Sequence, residues 1–176
     1  RVFADSEYIV VPAGSCCAMV SPPLSGQFDA TYPERQQAHA MEKRVFEFSQ
    51  FLTTVARTTD VGARFDGVVT YHDSCHALRE LGIHAGPREL LSHVRGLTLK
   101  EMGAAQECCG FGGTFSVKFP EVSGGMARTK IDSILETGAG TVVSIDSSCL
   151  MQLQGAISRA GLPIRTMHLA EVLASR

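Results

Sequence analysis

Cysteines at 16, 17, 75, 108, 109 and 149 stand out in this chain of 176 residues. Two of them are adjacent in "ECCGFGG" (107–113), followed by glycines at 110, 112 and 113. Successive side chains of an extended chain point apart, so a neighbouring pair serves one place only where the backbone turns sharply. Those glycines permit such a turn and let backbone N–H groups approach sulfur. Thiols in this number within an intracellular chain point to metal or redox work. The plainer alternative is that some of them, Cys17 above all, are small buried hydrophobes. Cys75, Cys108, Cys109 and Cys149 together match the ligand number of zinc or of an iron–sulfur cluster. A vicinal pair straddles two metal ions more easily than it binds one, which leans toward a multi-iron centre. A vicinal disulfide is the strained redox alternative. His72 and His76 flank Cys75 as secondary ligand candidates, because a histidine near a sheet end is more often a packing residue.

Strands and helices must bring these residues together. "YIVVPAG" (8–14) reads as a buried strand, with Ser15-Cys16 opening a helix, and "SPPLSGQFDATYP" (21–33) as a loop. Apolar spacing predicts helix from Glu34 to about Ala56, with a break at Phe48-Ser49. "VVTYHDSCH" (68–76) is a strand ending in Asp73-Ser74, which can cap the next helix. A short helix over 87–94, a strand over 97–102 and a glycine-rich loop over 103–115 follow. The pattern continues as helix 120–138, strand 141–146, helix 148–161, and a short strand and helix over 164–175, with His168 as a cap. Met19, Met102 and Met151 are expected in the core, and 35–44 on a solvated helix face.

Alternating strands and helices predict an α/β chain with a parallel, Rossmann-like sheet covered on both faces. Functional residues then gather at the carboxyl ends of strands, where all these cysteines fall. Cys75 and Cys149 stand at helix starts, where the local field is expected to favour thiolates. "YIVVPAGSCCAM" (8–19) also matches "TVVSIDSSCLMQ" (141–152), and "FEFSQFL" (46–52) matches "TMHLAEVL" (166–173). The chain therefore reads as pseudo-duplicated. Residues 1–60 are the end of a truncated first repeat and 61–176 a complete second. An opening Arg1 in place of Met is expected of a chain that lacks its natural start.

Composition sets further bounds. Hydrophobic residues make up 44% and charged residues 19%, with a formal net charge of −2, so a globular core is affordable and no basic face is present for nucleic acid. No apolar run reaches membrane-spanning length and no secretory leader pattern opens the chain. No G-x-G-x-x-G follows a first strand, which argues against a dinucleotide cofactor.

"CCGFGG", with "YHDSCH" upstream, "SSCLMQ" and "HLAEVL" downstream, and "VVPAGSC" near the start, resembles the cysteine-rich CCG-containing family. That family includes iron–sulfur subunits of heterodisulfide reductase, glycolate oxidase and lactate-utilisation systems. The short two-repeat lactate-utilisation type is the most similar, over nearly the whole chain. The resemblance implies an iron–sulfur cluster of the 4Fe–4S type held by Cys75, Cys108, Cys109 and Cys149, with Gly110 beside them. Cys16 would be the last ligand of the first repeat. It implies a cytoplasmic electron-transfer subunit for oxidation of L-lactate to pyruvate, working with a ferredoxin-like iron–sulfur subunit and a third subunit. The fuller family pattern ends in C-x-x-C, but Gln152 follows Cys149 and Met19 follows Cys16. One ligand fewer speaks against the noncubane cluster and leaves an ordinary cubane, a zinc site or an empty site open. A zinc-binding structural or regulatory module and a heterodisulfide or thiol redox subunit are the alternative functions.

Overall fold

The computed structural model describes residues 2–21 and 24–176. Pro22 and Pro23, part of the expected loop over 21–33, and Arg1, on which the expectation about the start rested, lie outside the described residues. The chain begins with β1 (Ile9–Val11) and α1 (Gly14–Val20), then α2 (Pro33–Glu42), β2 (Val45–Glu47) and α3 (Phe48–Gln50), which continues as a π-helical turn over Phe51–Val55. β3 (Arg64–Tyr71), α4 (Cys75–Arg79), α5 (Ala85–Ser92) and β4 (Arg95–Leu99) come next. The rest is α6 (Thr114–Lys118), α7 (Pro120–Thr137), β5 (Thr141–Ser144), α8 (Ser147–Arg159), β6 (Arg165–His168) and α9 (Leu169–Ala174).

Every strand pairing is parallel, as the alternation predicts. β1 pairs with β2, and the larger sheet has the order β4-β3-β5-β6. β3 and β5 are central, in register from Val69↔Thr141 to Tyr71↔Val143. All four residues of β5 are buried, as expected of a parallel strand covered on both faces. Its alternation divides the core. Val143 packs with Tyr71, Leu90, Leu91, Leu169 and Val172 on one face. Val142 packs with Ile131, Ile134, Leu153 and Ile157 on the other, the cluster that also contains Cys109 and Cys149. Fully burying one such aliphatic side chain contributes roughly 1.5–3 kcal/mol.

One expectation is corrected. Helical spacing runs through 34–56, yet Val45–Glu47 is a strand beside β1. Val45 and Glu47 are buried on one side and β1 has no other partner among the described residues, so tertiary pairing overrides the helical spacing. Glu47 then caps α3, accepting from Ser49 N at 2.8 Å and Gln50 N at 3.2 Å. The other strands and helices fall within a few residues of their predicted places. α7 ends at Gly138, in the left-handed region with φ 66°, as predicted.

The small sheet is joined to the large one beside β5. Gly14 N donates to Ile145 O at 3.0 Å. A Cβ on Gly14 would lie 2.7 Å from Ala77 Cβ, so only glycine lets α1 approach α4 this closely. Among the described residues, no helix is long and apolar enough to cross a membrane.

Candidate metal centre

Because the sheet is parallel, the loops after β3, β4 and β5 open at one end. Cys75 begins α4 after β3, Cys149 lies in the first turn of α8 after β5, and Cys108 and Cys109 occupy the long loop after β4. One ligand atom each from His72, Cys109 and Cys149 lies within 4.8 Å of the others, and all three residues are buried. Cys75 faces Cys108 and Cys109. The adjacent thiols thus divide. Cys109 turns into the core toward Cys149 and His72, while the half-buried Cys108 keeps company with Cys75. All six cysteines are free thiols, and Cys108–Cys109 is not a vicinal disulfide.

His72 belongs to this group and His76 does not. His72 is fully buried and neither ring nitrogen has a hydrogen-bond partner. Leaving a buried polar atom unpaired costs about 1–3 kcal/mol, so an orphaned imidazole among thiols is placed to serve as a ligand. Thiolate sulfur with imidazole suits zinc or an iron–sulfur centre, and the residues present therefore fit such a group. His76 instead points along α4, its Nδ1 2.7 Å from the Glu80 carboxylate. Cys16 is exposed, and among the described residues it shares no ligand cluster with another thiol.

The electrostatics differ from the helix-start expectation. Cys109, in the loop, is the thiol whose pKa falls. The Cys149 thiol donates toward it and outweighs the burial that opposes ionisation; nearby His72 adds to the effect, although neither of its nitrogens is aligned to bond the sulfur. Cys149 is pushed up, first by the hydrogen bond its thiol donates toward Cys109 and then by burial. Cys75 is also pushed up, by burial and then by Cys108 and Cys109. The α4 helix has only five residues, and the positive end of α8 is already occupied by a carboxylate.

That carboxylate is Asp146. It caps α8 by accepting from Ser148 N at 3.1 Å, and also accepts from Ser15 N at 2.7 Å and Ser74 Oγ at 3.2 Å. One buried side chain therefore gathers the starts of α1, α4 and α8. Burial pushes its pKa up, but the hydrogen bonds from Ser148 and Ser15 outweigh this and leave it lowered. An acidic residue before "SSC" is readable as an N-cap; its hold on Ser15 and Ser74 carries no sequence signal.

The loop is fixed from behind. Gly110 has φ 87°, and a Cβ there would lie 2.6 Å from Ser123 O. Its N–H donates to Cys108 Sγ at 3.4 Å, so backbone does approach sulfur as predicted. Ser123 Oγ donates to Gly110 O at 2.7 Å and accepts from Gln152 Nε2 at 2.9 Å. Gln152, which occupies the last place of the C-x-x-C pattern, thus braces the loop. Asp73 is not a cap. Arg88 grips it through two nitrogens at 2.8 and 2.9 Å while also bonding Glu101 at 2.7 Å, with the guanidinium 5.0 Å from the Tyr71 ring centroid. His168 caps α9 as expected. Met102 is in the core, but Met19 and Met151 are exposed, because α1 and α8 turn those positions outward. The 35–44 face is solvated except for Ala38 and Glu42.

A parallel α/β sheet brings thiols together at its strand ends, and residues 69–154 match the cysteine-rich CCG domain family. Lactate utilization protein A of an Exiguobacterium species is 49% identical over 171 residues, covering 97% of this chain and 69% of that protein. The proteins of the same name from Bacillus cereus strain G9842 and Bacillus thuringiensis strain Al Hakam are 45% and 46% identical over 177 residues, covering 100% of this chain and 73% of each relative. The chain belongs to the lactate utilization protein A family.

Proposed function

We propose that the chain is an iron–sulfur electron-transfer subunit of a cytoplasmic complex that oxidises L-lactate to pyruvate. The observation that carries this is the buried His72–Cys109–Cys149 group with its orphaned imidazole, in a chain whose relatives are named for lactate utilization. Cys75, Cys108, Cys109 and Cys149 would hold a 4Fe–4S-type cluster, with His72 as a further ligand and Gly110 presenting its N–H to sulfur. Such a cluster supplies one-electron transfer when bound. The chain's own residues hold it, shield it from water through the apolar wall of Ile131, Ile134 and Leu153, and set its charge surroundings. The partners in this reading are a ferredoxin-like iron–sulfur subunit and a third subunit. Residues 1–60 and 61–176 are read as the end of one CCG-type repeat and a second repeat. Supporting this, β1–β2 and β5–β6 are each a parallel pair whose second strand ends in a capping box, at Glu47 and His168.

Anaerobic purification with iron, sulfide and zinc analysis, together with electron paramagnetic resonance of the reduced protein, tests the reading. Cys109→Ser and His72→Ala should lower iron content, and Cys16→Ser should leave it unchanged. About one zinc per chain with no iron and no signal would sink the proposal. It would favour the second reading, a single-ion zinc module, to which the close spacing of His72, Cys109 and Cys149 also lends itself.

A further inference from the structure

Lys130 is the one Lys or Arg buried among the described residues, at 1% exposure midway along α7. An ammonium without an anionic partner is costly to bury. Its Nζ donates to Ala104 O, and to Ala105 O at 3.4 Å. Both acceptors are neutral, and no carboxylate among the described residues forms an ion pair with it. Burial lowers the Lys130 pKa, and the groups that oppose this are the Glu107 carboxylate and the sulfurs of Cys109, Cys108 and Cys149.

The position is also mechanical. Ala105 O accepts a second hydrogen bond, from Asp73 N at 3.0 Å. The same ammonium thus bears on the loop leading to Cys108 and on the segment between His72 and Cys75. One turn further along α7, Ser133 Oγ accepts from Ala104 N at 2.9 Å. A methionine would fill the volume without the cost of burying charge, so the charge itself calls for a role.

We propose that Lys130 is a positioning residue of the metal centre. It pins the loop that carries Cys108 and Cys109, and it supplies the buried positive charge that offsets the thiolates. An added electron makes a cluster more negative, so a fixed cation nearby stabilises the reduced state and raises the reduction potential. The effect on potential rests on the iron–sulfur reading above; the pinning of the loop does not.

Two variants separate these roles: Lys130→Met removes the charge and keeps the stem, and Lys130→Arg keeps the charge. The midpoint potential is read by paramagnetic resonance during redox titration of anaerobically purified protein. Loop opening is read by hydrogen exchange of metal-free protein. Lys130→Met should lower the midpoint by at least the equivalent of a tenfold change, about 59 mV for a one-electron couple, and Lys130→Arg should restore most of it. In metal-free Lys130→Met, amide exchange over 103–110 should quicken at least tenfold. A folded Lys130→Met with an unchanged midpoint overturns the electrostatic role, and unchanged exchange overturns the pin. If Lys130→Met fails to fold while Lys130→Arg folds with the native midpoint, the charge requirement stands. Failure of both to fold overturns the proposal in favour of plain packing. A wild-type protein without iron refutes the proposed function instead, and hydrogen exchange then decides the role of Lys130 alone.

Discussion

Replacing Asp146 by alanine should cost about 4 kcal/mol, a large share of the roughly 5–15 kcal/mol that holds a domain folded. The figure follows from the donors left behind. Ser15 N and Ser148 N both bond this carboxylate, and Asp146 itself is 1% exposed. Both donors belong to half-buried residues; leaving such an N–H unpaired costs about 1–3 kcal/mol, and bonds to a charged acceptor lie at the stronger end. The Ser74 and Ser148 hydroxyls can rotate toward other partners and add little. Asp146→Asn should cost about half as much. Asparagine caps helices as well as aspartate does, but its single oxygen can serve Ser15 or Ser148, not both. Urea denaturation of wild type and variants matched for metal content measures the difference, with equal slopes as the internal check. A cost under about 1 kcal/mol for Asp146→Ala, or equal costs for the two variants, would refute the view that one carboxylate joins three helix starts. The sign with pH is also fixed. Asp146 has a lowered pKa in the fold, so its contribution is complete above the unfolded value of about 3.9 and disappears as pH falls through the folded one. The gap between wild type and Asp146→Asn should therefore close in acid.

Other outcomes follow from neighbouring residues. Arg88→Met strands the buried Asp73, whose one other basic neighbour among the described residues is the His84 imidazole at 3.8 Å, and should cost about 3–5 kcal/mol in the same denaturation assay. Glu101→Gln, which loses only an exposed partner of Arg88, should cost less than about 1 kcal/mol. Gly110→Ala combines φ 87° with a collision against Ser123 O at 2.6 Å. It should destabilise by about 2 kcal/mol or more and reduce metal content on elemental analysis. Gly113→Ala has φ 56° but open space, so it should show the smaller loss and near-normal metal content.

Much of the layout was legible because each candidate cysteine follows a strand. Once Val68–Tyr71, Leu97–Leu99 and Thr141–Ser144 are read as parallel strands, Cys75, Cys108, Cys109 and Cys149 must share one end of the sheet. What spacing could not reveal was direction. His72 and His76 are equally close to Cys75 in the chain, yet the strand end aims one into the core and the helix aims the other at Glu80. Val45–Glu47 was hidden because its residues also satisfy a helical repeat, and only pairing with β1 decides between the two. The bond from Ser15 to Asp146 joins residues 131 apart, a distance no local pattern encodes. Lys130 left a faint trace, since it lies on the same helical face as Ala127 and Ile134, where an apolar residue is the ordinary occupant.

The pairing of β3 directly with β5 has a consequence for how the protein matures. Val69 meets Thr141 across the β4 strand, the glycine-rich loop and all of α7. Such long loops close late, and parallel pairings of this kind are slow to form. Until β3 and β5 meet, Cys149 is on one side of an open chain and His72 and Cys75 on the other. The newly made polypeptide therefore passes through an interval with reduced, unshielded thiols and no assembled site. On the proposed reading, metal would load only after β3 and β5 have paired, and its success would depend on oxidant being kept away until then.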